Sequence, residues 1–158
     1  MESIIAYLTK NKETISTMES ATGGYLASSI TNISGSSLVF SYGAVTYSNK
    51  FKIKMGVNKD IIDKYSVYSM ECANSMSKTI TDFTNSDYGV GVTGKINDPD
   101  PNNLTGDNSL VYLSLYDKKK EKYYTKIIKV LNQERVLNKE FIKNEFIKLF
   151  KENIMKEL

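Results

Sequence analysis

The stretch Thr17–Gly24, reading Thr-Met-Glu-Ser-Ala-Thr-Gly-Gly, constrains this chain more than any other. Before it, Glu13–Met18 alternates small polar and apolar residues, the period of a short strand. After it, Tyr25–Ile30 reads as a helix. A strand that passes into a helix through a carboxylate, two hydroxyls and a glycine pair leaves backbone N–H groups free at the turn. Such groups can hold an anion or a developing oxyanion. The same residues have a purely structural reading, in which Ser20 or Thr22 caps the helix and the glycines permit a tight turn.

What the chain lacks limits the chemistry open to that turn. There is no histidine among 158 residues, which removes Ser-His-Asp triads, Cys-His dyads and the usual zinc motifs. Cys72 is the one cysteine, so no internal disulfide or cysteine-rich metal site can form. A nucleophile in the turn is then a serine or threonine. Its base is a lysine made neutral by desolvation, or a tyrosine.

The rest of the chain supplies an α/β frame. Residues 2–10 form an amphipathic helix with Ile4, Ile5 and Leu8 on one side. Leu38–Tyr47 is rich in β-branched and aromatic residues and reads as a buried strand, followed by a short helix to Met55. Asn58 caps a helix through Tyr65, and Ser69 caps another in which Met70, Ala73, Met76, Ile80 and Phe83 follow helical spacing. Cys72 lies in that helix as a small packing residue. Asp87–Val92 is strand-like and ends at Thr93-Gly94, and residues 95–109 have the composition of a loop. Leu110–Tyr116 and Tyr123–Val130 form a hairpin about a charged turn. A last helix starts at Asn132, with Val136, Phe141, Phe146, Leu149, Phe150 and Ile154 as its apolar side. The expected architecture is a three-layer α/β/α sandwich with a mixed, mostly parallel sheet, in one domain over residues 1–158.

Charge is divided unevenly. Residues 1–117 carry 9 basic and 12 acidic groups, and residues 118–158 carry 12 basic and 6 acidic. Lysines alternate with glutamates along the last helix, so a solvated face is expected there ahead of a nucleic-acid footprint. The N-terminus lacks the basic start and long apolar run of a signal peptide, and no apolar segment reaches spanning length. A cytoplasmic protein with no membrane partner is expected. The formation of homo-oligomers stays open.

In open α/β sheets, ligands sit beyond the carboxyl ends of the strands. Three polar clusters fall there: Glu19–Gly24, Tyr47-Ser48-Asn49 with Lys52, and Thr93-Gly94. Together with Gly35-Ser36-Ser37, Val45-Thr46 and Gly56-Val57, in this order and spacing, they resemble the CinA C-terminal domain family, which includes nicotinamide mononucleotide deamidases. The resemblance runs from about residue 3 to Gly94 and more loosely to the end. It implies hydrolysis of the carboxamide of nicotinamide mononucleotide to nicotinate mononucleotide and ammonia, a step of pyridine nucleotide salvage, with no metal or other cofactor.

Ser20 matches the serine of the family's Glu-Ser-Cys-Thr-Gly-Gly motif, with Ala21 in place of the cysteine. Lys52 matches the lysine that follows Tyr-Ser-Asn. The resemblance therefore implies Ser20 as nucleophile, Lys52 as base and Tyr47 as an assisting group. It implies a substrate pocket made by Glu19, Thr22, Gly23, Gly24, Ser36, Ser48, Asn49, Thr93 and Gly94. Arg135 matches the arginine opening the last helix and is the candidate for the substrate phosphate. Arginine in a first turn opposes the helix dipole, so an anionic partner is expected, a ligand or else Glu134 or Glu19.

The chain departs from the family after Gly94. Lys95-Ile96-Asn97-Asp98-Pro99-Asp100 replaces Ile-Ala-Gly-Pro, and Lys139 stands where a later arginine is usual. Longer members carry an N-terminal molybdopterin-binding-like domain, and this chain reads as the stand-alone form. The alternative function is a non-catalytic domain that binds a nucleotide or a protein, linked to competence or the DNA-damage response.

Overall fold

A computed structural model describes residues 1–156; Glu157 and Leu158, the end of the expected single domain, lie outside the described residues. Five strands form one sheet in the order β2-β1-β3-β4-β5. They are β1 (Ile15–Glu19), β2 (Gly43–Val45), β3 (Tyr88–Gly94), β4 (Leu110–Asp117) and β5 (Lys122–Lys129). β1 pairs in parallel with both β2 and β3, whereas β3–β4 and β4–β5 are antiparallel. Only β4 runs against the other four, so the sheet is mixed, as expected, and mostly parallel in strand direction.

Among the described residues six α-helices accompany it: α1 (Glu2–Asn11), α2 (Tyr25–Thr31), α3 (Asn49–Lys54), α4 (Lys59–Tyr65), α5 (Met70–Thr84) and α6 (Arg135–Asn153). Strand alternation sorts the core into two layers. Ile15, Tyr88, Val90, Val92, Leu113 and Leu115 pack with Ile4, Leu8, Leu26, Phe146 and Phe150 of α1, α2 and α6. Met18 and Ala44 point the other way, toward Ile62, Cys72, Met76 and Ile80 of α4 and α5.

On that second face, α5 lies almost directly on β3. A Cβ at Gly91 would stand 2.3 Å from the Ala73 carbonyl oxygen and 2.7 Å from the Ser77 nitrogen, both backbone atoms that cannot swing away. Gly91→Ala is therefore expected to cost about 2–3 kcal/mol by forcing helix from sheet. Urea unfolding measures this, and a change within about 0.5 kcal/mol would show that the contact is loose.

Three expected elements differ. The Leu38–Tyr47 strand is a 3₁₀ turn at Ser36–Leu38 and a strand of only three residues. Val39 and Ala44 reach the core, while Leu38, Val45 and Tyr47 are exposed. β2 is an edge strand paired on one side, so the β-rich composition of its surroundings has no second neighbour to pair with. α6 begins at Arg135 instead of Asn132 because the buried Asn138 side chain claims the chain before it. Asn138 Oδ1 accepts from the Leu131 N–H at 3.0 Å and its Nδ2 donates to the Leu131 carbonyl at 2.9 Å. Phe83 and Val136, expected on buried faces, are exposed. At the other edge, β5 presents Lys122 and Lys129 to solvent at its two ends. Along α6, Glu145 joins Lys126 and Lys148, and Glu140 joins Lys143 at 2.5 Å, so part of the basic quarter is ion-paired.

Candidate active site

The cleft opens beyond the carboxyl ends of β1 and β3. β1 has β2 on one side and β3 on the other, so the chain leaves it in two directions and a crevice forms at that point. The cleft is about 550 Å³ and is lined by Ser20, Tyr47, Ser48, Asn49, Lys52, Gly94 and Arg135 of the residues expected at a site. That size suits a small molecule.

Glu19 is the last residue of β1 and has 0% exposure. α2 starts after Gly24, which has positive φ and no side chain to cap with. Glu19 supplies the cap from five residues upstream. Its Oε1 accepts from the Leu26 N–H at 2.8 Å and the Thr22 hydroxyl at 2.7 Å, and its Oε2 from the Ala27 N–H at 3.0 Å. The capping role therefore passes from Ser20 and Thr22 to Glu19, because the second and third N–H groups of α2 point back at the strand end. Ser20 is thereby left with no side-chain hydrogen bond among the described residues. The N–H groups of Ala21, Thr22 and Gly24 likewise find no acceptor there, and Ala21 lines the cleft beside Ser20.

Lys52 is 3% exposed, on a six-residue helix whose N-terminus is held by the Ser48 hydroxyl accepting from the Phe51 N–H. Its Nζ donates to the Thr46 carbonyl at 2.8 Å. Burial pushes the amine below the ordinary lysine range, with Cys72 and Asp100 pulling it back up. The Cys72 thiol, buried beside it, is pushed up to about 11 and stays protonated at neutral pH. Among the described residues, no hydrogen bond joins Ser20 to Lys52; the two face one cleft with the amine anchored to Thr46.

Several expected pocket residues are engaged elsewhere. Thr22 is spent on Glu19, and Gly23 and Gly24 shape the turn behind Ser20 without lining the cleft. Thr93 is buried and donates to the Val67 carbonyl at 2.7 Å, tying the end of β3 to the chain before α5. Ser36 lies at the opposite end of the sheet, since Val39, three residues on, accepts from the Ile15 N–H at the start of β1. A parallel β2 must begin where β1 begins, and this carries Ser36 away. Arg135 pairs with neither Glu134 nor Glu19. Its NH1 donates to Asp98 Oδ2 and to the Ile96 carbonyl, each at 2.9 Å.

The far wall comes from the loop after β3, which sequence reasoning did not place. Lys95, 4% exposed, donates to the Thr105 carbonyl at 2.9 Å and lies 4.7 Å from the centre of the Tyr68 ring. Tyr68 donates to Asp100, Asn103 Nδ2 donates to the same carboxylate at 2.8 Å, and Asn49 Nδ2 donates to Asn103 at 2.9 Å. Burial alone would raise the Asp100 carboxyl, but these hydrogen bonds and that from the Asn102 N–H hold it below its usual range. The signal for this wall is the departure from the family pattern at residues 95–100.

The sheet order, the glycine turn and the buried lysine define an α/β domain of the CinA kind. The chain belongs to the CinA C-terminal domain family, whose model matches residues 1–153. It is 42% identical over 120 residues to a Clostridium kluyveri protein provisionally named competence-damage inducible, covering 75% of this chain and 29% of that protein. It is 40% identical over 116 residues to a CinA-like protein of Kosmotoga olearia, covering 73% of this chain and 28% of that one. The chain thus spans less than a third of the length of these relatives. The crystal structure of the competence/damage inducible protein CihA of Agrobacterium tumefaciens matches with a TM-score of 0.81 at 25% identity, covering 93% of this chain and 91% of that one. The competence damage-inducible protein A of Klebsiella pneumoniae has the same fold, with a TM-score of 0.87 at 18% identity and coverage of 98% and 94%. No helix among the described residues is long and apolar enough to cross a membrane.

Proposed function

We propose that this domain hydrolyses the carboxamide of nicotinamide mononucleotide, with Ser20 as nucleophile and Lys52 as base. The observation that carries the proposal is the buried Lys52 amine, its pKa depressed by desolvation, in one cleft with a serine that has no other partner. On substrate binding, the neutral amine takes the Ser20 proton and Oγ adds to the carboxamide carbon. The oxygen of that carbonyl becomes an oxyanion stabilised by the free Ala21 N–H. The proton on Lys52 then passes to the departing nitrogen, which leaves as ammonia. Water, deprotonated by the same amine, adds to the acyl carbon; the bond to Ser20 Oγ then breaks, Oγ takes the proton back from Lys52, and nicotinate mononucleotide leaves. Tyr47, exposed on the rim, orients the ring, and Arg135 receives the phosphate. The Thr46 carbonyl fixes one N–H of the amine and so limits where its lone pair can point.

Incubating the protein with the nucleotide and measuring ammonia and nicotinate mononucleotide tests this. Release at the uncatalysed rate would overturn the function, and turnover that survives both Ser20→Ala and Lys52→Ala would overturn the mechanism. A second reading is a non-catalytic domain that binds a nucleotide, or a protein partner in competence or the damage response. It is favoured by the internal partners already held by Lys52 and Arg135. In that case the nucleotide raises the melting temperature without ammonia release.

A further inference from the structure

The cleft contains three cationic side chains, Lys52, Lys95 and Arg135, and two carboxylates, Asp98 and Asp100. Three of these five are tied inward. Lys52 is held by the Thr46 carbonyl and Lys95 by the Thr105 carbonyl and the Tyr68 ring. Asp100 is held by Tyr68 and Asn103. Arg135 is the cation that remains open to solvent, its side chain 45% exposed. Its ion-pair partner is Asp98, at 2.9 Å and 68% exposed, and only the NH1 nitrogen is used. An anionic ligand group that approaches this guanidinium therefore meets a carboxylate already in place.

We propose that Asp98 is a specificity-determining residue, whose carboxylate competes with the phosphate of an incoming ligand for Arg135. The inference rests on reading this cleft as one for a phosphate-bearing carboxamide. Two effects act together. The phosphate must displace Asp98 from NH1 or share the guanidinium with it, and a phosphate near −2 is repelled by the carboxylate at short range. An exposed ion pair is weak, so the competition reduces affinity without abolishing it. The domain therefore discriminates less between a nucleotide and its dephosphorylated nucleoside than the bare arginine would.

Asp98→Asn keeps the shape and an oxygen acceptor for Arg135 but removes the charge. Inorganic phosphate, titrated into the full chain and followed by phosphorus NMR, is expected to bind this variant about five- to tenfold more tightly than the wild type. In an Arg135→Gln background the same substitution is expected to tighten binding less than about twofold, since only the repulsion is then relieved, and the difference marks a direct coupling between the two residues. Equal phosphate binding by wild type and Asp98→Asn overturns the proposal. So does tightening that persists undiminished without Arg135, or no binding by any form. In ammonia release, the ratio of kcat/KM for nicotinamide mononucleotide over its dephosphorylated nucleoside should rise in Asp98→Asn. An equal change for both substrates means that the loop has merely loosened, and also overturns it. If neither substrate is hydrolysed, the amidase reading fails while the phosphate titration still decides the role of Asp98.

Discussion

Lys52→Met is expected to lower the turnover of nicotinamide mononucleotide at least about a thousandfold, and Ser20→Ala to do the same. The substitution by methionine keeps most of the apolar stem that fills the pocket and removes only the amine. Because nucleophile and base act as one unit, the double variant should be no worse than either single one. The pH dependence adds an independent check. Below its pKa the amine is an ammonium and cannot accept the Ser20 proton, so kcat/KM rises with pH as the amine deprotonates. Burial has lowered that pKa, so the rise should centre below the ordinary lysine range. A flat profile, with ammonia release followed from acid to alkaline pH, would exclude Lys52 as the base.

The second large effect concerns stability. Glu19→Ala removes the acceptor of two helix N–H groups and the Thr22 hydroxyl, all buried or part-buried. Each donor left without a partner is costly, and a loss of about 3 kcal/mol is expected in urea unfolding. Glu19→Gln keeps one acceptor oxygen and should lose about half as much. If the alanine variant unfolds at the wild-type urea concentration, Glu19 is not what starts α2. The two predictions are linked through Ser20. Because a strand residue caps the helix, the serine in the turn has no capping duty and lines the cleft.

The sequence made some features legible and concealed others for physical reasons. Periodicity identified α5 and the β4–β5 hairpin because local spacing sets both. It overstated β2, because composition does not say whether a strand has one neighbour or two. Ser20 and Lys52 were placed together by the order of strand ends. Thr22 and Thr93 fit the same rule, yet their hydroxyls turn to Glu19 and to the Val67 carbonyl. Which way a side chain faces at a strand end depends on partners distant in sequence. Lys95, Tyr68 and Asp100 were missed for a related reason. A loop rich in Asn and Asp looks like solvent-facing chain until the lysine, the ring and the carboxylate close on one another.

The two ends of the sheet also bear on how the protein behaves among its own copies. An open strand edge is a template on which another chain can add by hydrogen bonding. β2 offers only three residues, too few for a stable added strand, and β5 offers eight with lysines at its ends. Length protects one edge and charge the other. Neutralising Lys122 and Lys129 would leave the longer edge without that protection, and self-association at high concentration should then begin there.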